Sequence, residues 1–356
     1  MSEAEVGKTG GKEAAEAHGL EYIYQTMNLS IPSGSVDLAQ YKNTEVLAAS
    51  NANERISAAL AVFIDSVASS NQSVDKIDKA MLDYHIGEID RKLSMQLDEI
   101  IHHPTFQKME TSWRSLKFLV DRIDFKKNIK LDILDSSKEE LSTDFEDAPE
   151  TIQSGLYKHV YTSEYDTPGG EPYATVVSNY DFDSGPSDIT LLQNVSKVSA
   201  ACHCPFLGSA SPKFFGKQTM QDLTKIEDLH NYMERSEFLK WNSFRQTEDS
   251  RYVGLMLPRV MLRLPYGPDT QPVKDFNYIE NVKGDDHDKY LWGNASFAFA
   301  ANMVRSYTEN GWCVQIRGPE AGGKVEDLPV HIYDVGKGSQ MSVPGKAGIN
   351  KLDNPA

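Results

Sequence analysis

Two short apolar runs, each closed by a proline, lie side by side in the stretch Phe244–Thr270. The first run, Tyr252–Leu257, has the length of a buried strand and lacks the spacing of an amphipathic surface helix. Pro258 ends this run and Pro265 ends the second, Met261–Leu264, because proline has no N–H donor and restricts the residue before it. The first run therefore predicts a buried strand or core segment, and the rest of the chain is organised around this stretch.

Four arginines lie in or beside these runs. An unpaired charge beside apolar residues is costly, so each guanidinium must have an acidic partner or keep its head in water. We predict a structural ion-pair lattice that also includes acids placed before a later helix: Arg245, Arg251, Arg259, Arg263, Asp285, Asp286 and Asp288. The alternative is a phosphate- or nucleotide-binding α/β enzyme whose anion site uses Arg251, Arg259, Arg263 and Lys324.

Charge and cysteine content narrow the class of protein. The net charge of −16 argues against nucleic-acid binding and against adhesion to anionic membranes, which favour basic surfaces. The sequence contains no apolar run of about 18 residues and no signal peptide at its start, so no direct membrane insertion is expected. Three cysteines are too few for a disulfide framework. The expected location is the cytoplasm.

The first half of the chain reads as an arm followed by helices. Residues 1–50 are predicted to be a flexible N-terminal arm and linker, with one short apolar stripe at Leu20, Ile23, Tyr24 and Met27. Residues 51–125 are predicted to be a helical region. Its helix from about residue 75 ends at Pro104, and the next spans about 105–125. Their apolar faces include Ile89, Leu93, Leu97, Ile100, Trp113 and Leu116, and suit packing against another helix, within the chain or from a partner.

The second half alternates strand and helix patterns, which predicts a mixed α/β domain over residues 126–340. Predicted strands are Ile129–Leu134, Tyr173–Ser178, Pro205–Ser209 and Trp312–Arg317. Predicted helices include Asp188–Ala201 and Tyr290–Glu309, and residues 136–147 are helix or loop. Residues 341–356 form a divergent tail.

Three short motifs resemble binding sites but lack a required part. Gly318–Lys324 has the spacing of a phosphate-binding loop, yet Val325 stands where a Ser or Thr must hold magnesium. Cys202-His203-Cys204 has no second ligand pair for zinc, so buried cysteines at a helix-to-strand junction are the better interpretation. The acids at 285–288 are better placed to cap a helix than to bind a metal. No nucleophile elbow or zinc-protease helix motif occurs. We therefore expect no catalytic site, no cofactor and no metal.

Three long stretches, His102–Val120, Phe244–Thr270 and Asp285–Arg317, together resemble the large subunit of the contractile sheath of the bacterial type VI secretion system. The resemblance covers about residues 80–335 and implies a helical region followed by a sheath-type α/β domain. It also implies a structural protein of Gram-negative bacteria that drives an inner tube and spike into a target cell.

The resemblance implies specific partners. The large subunit pairs with a small sheath subunit, and the heterodimers assemble helically around a tube of haemolysin-coregulated protein on a baseplate. We predict that the helices of residues 51–125 contact the small subunit. We predict that the stripe Leu20–Met27 is the handle that an AAA+ recycling unfoldase binds. Family members continue well beyond position 340, so we expect this chain to pair with the small subunit without polymerising.

Overall fold

The structure is a computed structural model that describes residues 79–223, 226–274, 276–282, 286–316, 318, 323–329, 331–336 and 339–343. The chain divides into two compact units. In the described part, the first unit contains residues 79–107 and 265–281, and the second contains 108–264 and the residues from 282 onward.

Helices and strands alternate along the described chain. The helices are α1 Lys79–Ile101, α2 Pro104–Val120, α3 Lys138–Asp147, α4 Gly155–Tyr157, α5 Pro186–Ala201, α6 Met220–Leu223, α7 Leu229–Met233, α8 Leu239–Arg245 and α9 Ala295–Asn310. The strands are β1 Val176–Phe182, β2 Phe206–Ala210, β3 Val253–Met256, β4 Val260–Met261, β5 Trp292–Gly293, β6 His331–Gly336 and β7 Ser339–Val343. A π-helix, Lys158–Thr162, continues α4.

The second unit is built on a parallel sheet in the order β1-β2-β3. Val176 pairs with Phe206, and Phe206 pairs with Val253, so all three strands start at the same edge. The pairs β4–β5 and β6–β7 are antiparallel. Parallel strands joined by helices, together with antiparallel pairs, confirm the predicted mixed α/β class.

The central strand β2 is buried along its whole length, and helices cover it. The largest core cluster joins α3, α5, β1 and β2, and Phe182, Leu192 and Cys204 in it have no exposed surface. A second cluster around Phe214, Phe215 and Phe238 covers the far end of β2 at Ala210. Leu119, Phe297, Ala300 and Ala301 pack α2 against α9. The core of the second unit thus lies on both faces of β2.

Local sequence sets the ends of several helices. Ser137 and Glu140 form a capping box at the start of α3, which is why residues 138–147 form a helix rather than a loop. Pro186 occupies the first turn of α5, where its missing N–H has no cost. Gly311 ends α9 with φ +71°, a conformation that glycine adopts without strain.

Two predicted strands are not strands in the structure. Ile129–Leu134 runs outside the sheet, with Ile133 and Leu134 exposed, and the Tyr173 hydroxyl holds it through Asp132 Oδ2 at 3.1 Å. Residues 312–316 turn back onto the end of α9, where the Gln315 N–H donates to Ser306 Oγ. Alternation identified extended backbone in both places but not a neighbouring strand. Likewise α9 begins at Ala295 rather than Tyr290, because Trp292 and Gly293 pair with β4.

Two buried or half-buried carboxylates fix the first unit. Asp98 Oδ1 on α1 accepts hydrogen bonds from the Tyr278 hydroxyl at 2.6 Å and the Asn281 N–H at 3.3 Å. The Glu280 carboxylate is buried, with Oε1 at 3.1 Å from His102 Nε2 and Oε2 accepting the Tyr266 N–H at 2.8 Å. These bonds hold residues 265–281 against the end of α1.

Replacing Gly208 in β2 tests the packing of the central strand. An added Cβ would lie 2.6 Å from Phe182 Cε2, inside a core with no room to relax. We expect Gly208→Ala to lower the free energy of unfolding by about 2 kcal/mol in urea titrations followed by circular dichroism. Gly87→Ala is the control, because nothing lies within 4 Å of its Cβ position. In helix α1 that change should be neutral or stabilise the protein by up to about 1 kcal/mol. Equal effects of the two substitutions would contradict the packing argument.

Candidate functional site

One face of α1 carries a row of apolar side chains that the first unit leaves partly uncovered. Its members are spaced three or four residues apart, so they share one side of the helix: Ile86, Ile89, Leu93, Leu97 and Ile100. The exposed fractions of Ile86, Ile89 and Leu93 are 48%, 40% and 45%. Leu97 and Ile100 are half-buried. We call these five residues the α1 row.

The α1 row contains all four predicted interface residues of this helix. Sequence reasoning missed Ile86, although its position seven residues before Leu93 marks the same face. The other two predicted residues lie on α2 in the second unit, where Trp113 is 69% exposed and Leu116 is half-buried. Exposed apolar surface arranged in a row is suited to burial against an apolar partner.

A charged pair lies on the face of α1 opposite the α1 row. Arg91 Nη2 lies 3.0 Å from Glu88 Oε2, in an exposed pair one turn apart. The hydrogen bond from Arg91 lowers the pKa of Glu88, and the same bond raises the pKa of Arg91. Both groups therefore stay charged near neutral pH, on the side of the helix that carries Tyr84 and Met95.

The buried arginine of the second unit is paired with a glutamate on α2. Arg263 is 3% exposed, and its Nε donates to Glu110 Oε1 at 2.9 Å. Arg114 Nε donates to the same oxygen at 2.6 Å. Arg263 Nη1 also donates to the Leu264 carbonyl at 3.4 Å. One carboxylate thus neutralises a guanidinium that follows β4 directly and would otherwise be costly to bury.

A second arginine pair lies at the end of β1. Arg259 Nη2 donates to Asp181 Oδ2 at 2.6 Å. Beside it, Lys138 Nζ donates to the Asp181 carbonyl and to Asp188 Oδ2, each at 3.0 Å. Asp188 Oδ2 also accepts the Asp183 N–H at 2.7 Å. These bonds connect α3, β1 and α5.

The remaining members of the predicted lattice form local contacts. Arg251 pairs with Glu248 at 3.1 Å on the surface, and Asp286 pairs with Lys289 at 3.0 Å. The Arg245 backbone carbonyl accepts a hydrogen bond from the Ser250 hydroxyl at 3.0 Å. Asp288 lies in the 3₁₀ turn His287–Lys289. Asp285 lies outside the described residues. Arg251, Arg259 and Arg263 thus have separate acidic partners rather than one shared group.

The proposed anion site does not assemble around Lys324. Its Nζ pairs with Glu326 Oε1 at 2.9 Å, and the side chain is 64% exposed. The Gly323 N–H donates to the Gly318 carbonyl at 2.7 Å. Arg251, Arg259 and Arg263 each contact their own carboxylate. Within the described ranges no group of three or more His, Cys, Asp or Glu side chains is placed to hold a metal ion.

The stripe Leu20, Ile23, Tyr24 and Met27, predicted to be an unfoldase handle, lies outside the described residues. Among the helices that the structure does describe, none is long and apolar enough to cross a membrane.

Comparison with known proteins decides the family. The model of the VipB family, described as EvpB/VC_A0108, tail sheath N-terminal domain, matches residues 83–353. The chain belongs to the VipB tail sheath family. The matched range of this sheath chain includes the α1 row and extends into residues 341–353, which the sequence pattern had set apart as a tail.

A curated relative agrees with this assignment. The sheath chain is 39% identical over 284 residues to the type VI secretion system sheath protein TssC1 of Pseudomonas aeruginosa. The aligned region covers 79% of the chain and 56% of the relative, so the chain spans little more than half of that protein. The predicted resemblance to a type VI sheath protein is confirmed.

Removing the Glu110 carboxylate tests the buried ion pair. Glu110→Ala takes the acidic partner from Arg263 and Arg114, so we expect a loss of about 3 kcal/mol in the free energy of unfolding. Glu248→Ala removes the acid from the exposed Arg251 pair and should cost less than about 0.5 kcal/mol. Urea unfolding of both variants gives the comparison. Similar small losses would show that burial of Arg263 does not depend on Glu110.

Proposed function

We propose that this chain is a structural subunit of the type VI secretion sheath that pairs with a small sheath subunit through the α1 row. The observation that carries the proposal is the α1 row itself, which lies exposed in a member of a sheath family. The relative from Pseudomonas aeruginosa carries the name of a type VI secretion sheath protein, which supports the assignment.

The energetics of the α1 row suit a permanent subunit contact. Burying the exposed remainder of Ile86, Ile89 and Leu93 contributes about 1 kcal/mol for each residue. A partner helix laid along the row would cover Leu97 and Ile100 as well, in the manner of a helix in a hydrophobic groove. The pair of Arg91 and Glu88 lies on the opposite face of α1 and stays in water.

The assembly does mechanical work without chemistry of its own. Heterodimers stack helically around the inner tube on a baseplate, and contraction moves tube and spike toward the target cell. Such work needs two packings of the same subunits that differ in free energy, and it needs no active site. An AAA+ unfoldase then recycles the contracted form through the stripe Leu20, Ile23, Tyr24 and Met27.

The arginines act in this proposal as structural groups. Arg259 and Arg263, which follow strands, form ion pairs with acids on other elements. Arg251 pairs with an acid three residues away. The cysteines Cys202, Cys204 and Cys313 are free thiols, in keeping with assembly in a reducing cytoplasm. No observation favours the phosphate-binding alternative over this one.

Co-expression with the neighbouring small-subunit gene tests the proposal. The chain carries an affinity tag, the small subunit does not, and the eluate is analysed by light scattering and negative-stain electron microscopy. Co-elution in equal amounts is the expected result, as heterodimers or as tubes. Absence of the small subunit from the eluate, while the chain itself is folded, would overturn the proposed partnership.

The α1 row makes a residue-level prediction. Ile89→Ala with Leu93→Ala removes apolar area at the centre of the row, and we expect the affinity for the small subunit to fall at least tenfold, about 1.4 kcal/mol. Stability should change little, since both side chains are already exposed in the free chain. Binding is measured by titration calorimetry or by co-elution at limiting concentration.

Matched controls lie on the other side of α1. Tyr84 and Met95 are 58% and 43% exposed and lie on roughly the opposite face of the helix. Tyr84→Ala with Met95→Ala removes exposed apolar area of the same order without touching the row. Equal loss of binding in both double variants would assign the effect to the helix as a whole and not to the row.

A further inference from the structure

A cleft lies between α3 and α5 on the surface of the second unit. Its volume is about 320 Å³, and residues of both helices line it. The lining includes two buried apolar side chains, Phe145 on α3 and Leu191 on α5, and the exposed residues Pro186 and Thr190. An apolar cavity of about 150 Å³ already holds a benzene ring. The cleft therefore has room for one aromatic side chain.

The α3 wall of this cleft is acidic. Helix α3 contains five acidic residues and one lysine, Lys138, which is paired with Asp188 at 3.0 Å. Glu146 lines the cleft, and Glu139 lies seven positions earlier on the same face of the helix. Both glutamates are exposed. On α5, Lys197 lies beyond the last lining residue, so the negative charge is on the α3 side. An aromatic group with adjacent positive charges fits such a cleft.

The same unit presents an aromatic side chain next to two lysines. Phe125, Lys126 and Lys127 form a 3₁₀ turn after α2, and Phe125 is 53% exposed. We call these three residues the 125–127 turn. Both lysines are exposed, and neither ammonium group has an acidic partner among the described residues. In a chain of net charge −16, two such lysines are suited to an acidic surface.

Backbone hydrogen bonds hold the 125–127 turn in its exposed position. Asp124 Oδ1 accepts the Lys126 N–H at 3.1 Å, and the Asp124 carbonyl accepts the Lys127 N–H at 3.0 Å. Asn128 ends the turn with φ +57°, a conformation that asparagine adopts more readily than most residues. The turn is thus formed before any partner binds, which lowers the entropy lost on binding.

The turn and the cleft lie at opposite ends of one extended segment. Residues 129–136 run beside β1 and the residues before it: Asp132 Oδ2 accepts the Tyr173 hydroxyl at 3.1 Å, and the Ser136 carbonyl accepts the Tyr180 hydroxyl at 2.7 Å. Helix α3 begins directly after this segment. Eight extended residues span about 25 Å. The 125–127 turn is therefore held away from the cleft of its own chain, and a contact between them joins two copies.

We propose that the 125–127 turn of one copy of this chain docks into the α3–α5 cleft of a second copy. The Phe125 ring fills the cleft against Phe145 and Leu191, and the two lysines pair with Glu139 and Glu146. Because the turn and the cleft are different surfaces, the contact is head-to-tail and repeats from copy to copy. It uses no residue of the α1 row, so it does not depend on the proposed pairing with the small subunit.

Sedimentation velocity of the full chain, without the small subunit, tests the contact. We expect the average mass to increase reversibly between about 1 and about 100 µM protein, because a contact this small is weak and transient. Phe125→Ala should weaken the association at least about tenfold. Leu239→Ala is the control, since Leu239 is 71% exposed and belongs to neither surface. A wild-type chain that stays monomeric throughout would overturn the proposal.

Exchanging the charges tests which two surfaces meet. Lys126→Glu with Lys127→Glu, and separately Glu139→Lys with Glu146→Lys, should each abolish self-association. An equal mixture of the two variants should associate again, because the acidic turn of the first fits the basic cleft of the second. The basic turn of the second likewise fits the unchanged cleft of the first. A mixture that stays monomeric while both variants are folded by circular dichroism would contradict the proposed contact.

Two further measurements separate this contact from other effects. Lys158→Glu with Lys240→Glu changes the net charge by the same amount as the turn variant, at two other exposed lysines, and should leave self-association intact. All variants should bind the small subunit as the wild-type chain does, because the α1 row is unchanged. If the cleft variant loses the small subunit while the wild-type chain does not self-associate, the cleft belongs to that subunit and the proposal is wrong.

Discussion

Burial of β2 on both faces is the constraint on which the second unit depends. A strand with no exposed residue must be paired on both edges and covered on both sides, and β1, β3 and the flanking helices provide this cover. Gly208 shows how tight the cover is, since the Phe182 ring occupies the space where a side chain would begin. Cys204 lies just before β2 at the same crowded junction, and its side chain has no exposed surface.

The arginine pairs follow from this arrangement. Arg263, after β4, is buried where its guanidinium cannot stay in water, so an acid must come from another element, whereas Arg259, after β3, is one-third exposed. Glu110 reaches Arg263 from α2, and Asp181 reaches Arg259 from β1. Each pair links segments far apart in sequence. The pairs therefore tie together elements of the second unit that the sequence keeps apart.

Periodicity and punctuation predicted most of this fold because they reflect local physics. Pro104 marks the boundary between two predicted helices, and the apolar stripe of α1 was visible as Ile89, Leu93, Leu97 and Ile100. The wrong predictions concern the segments to which the backbone forms hydrogen bonds. Ile129–Leu134 alternates as a strand does, but alternation cannot say whether another strand lies beside it. Trp312–Arg317 failed for the same reason, since Ser306 binds its backbone instead.

The sequence predicted which type of residue must pair with a buried side chain, but not which residue it would be. The need of Arg263 for an acid follows from its apolar neighbours, whereas Glu110 lies 153 positions away and no local pattern points to it. The left-handed backbone of His203 is a conformation that only the packed junction determines. The α1 row differs from both, because the three- and four-residue spacing of its apolar side chains can be read directly from the sequence. Such a surface can therefore be predicted from the sequence more directly than any charged pair of the described residues.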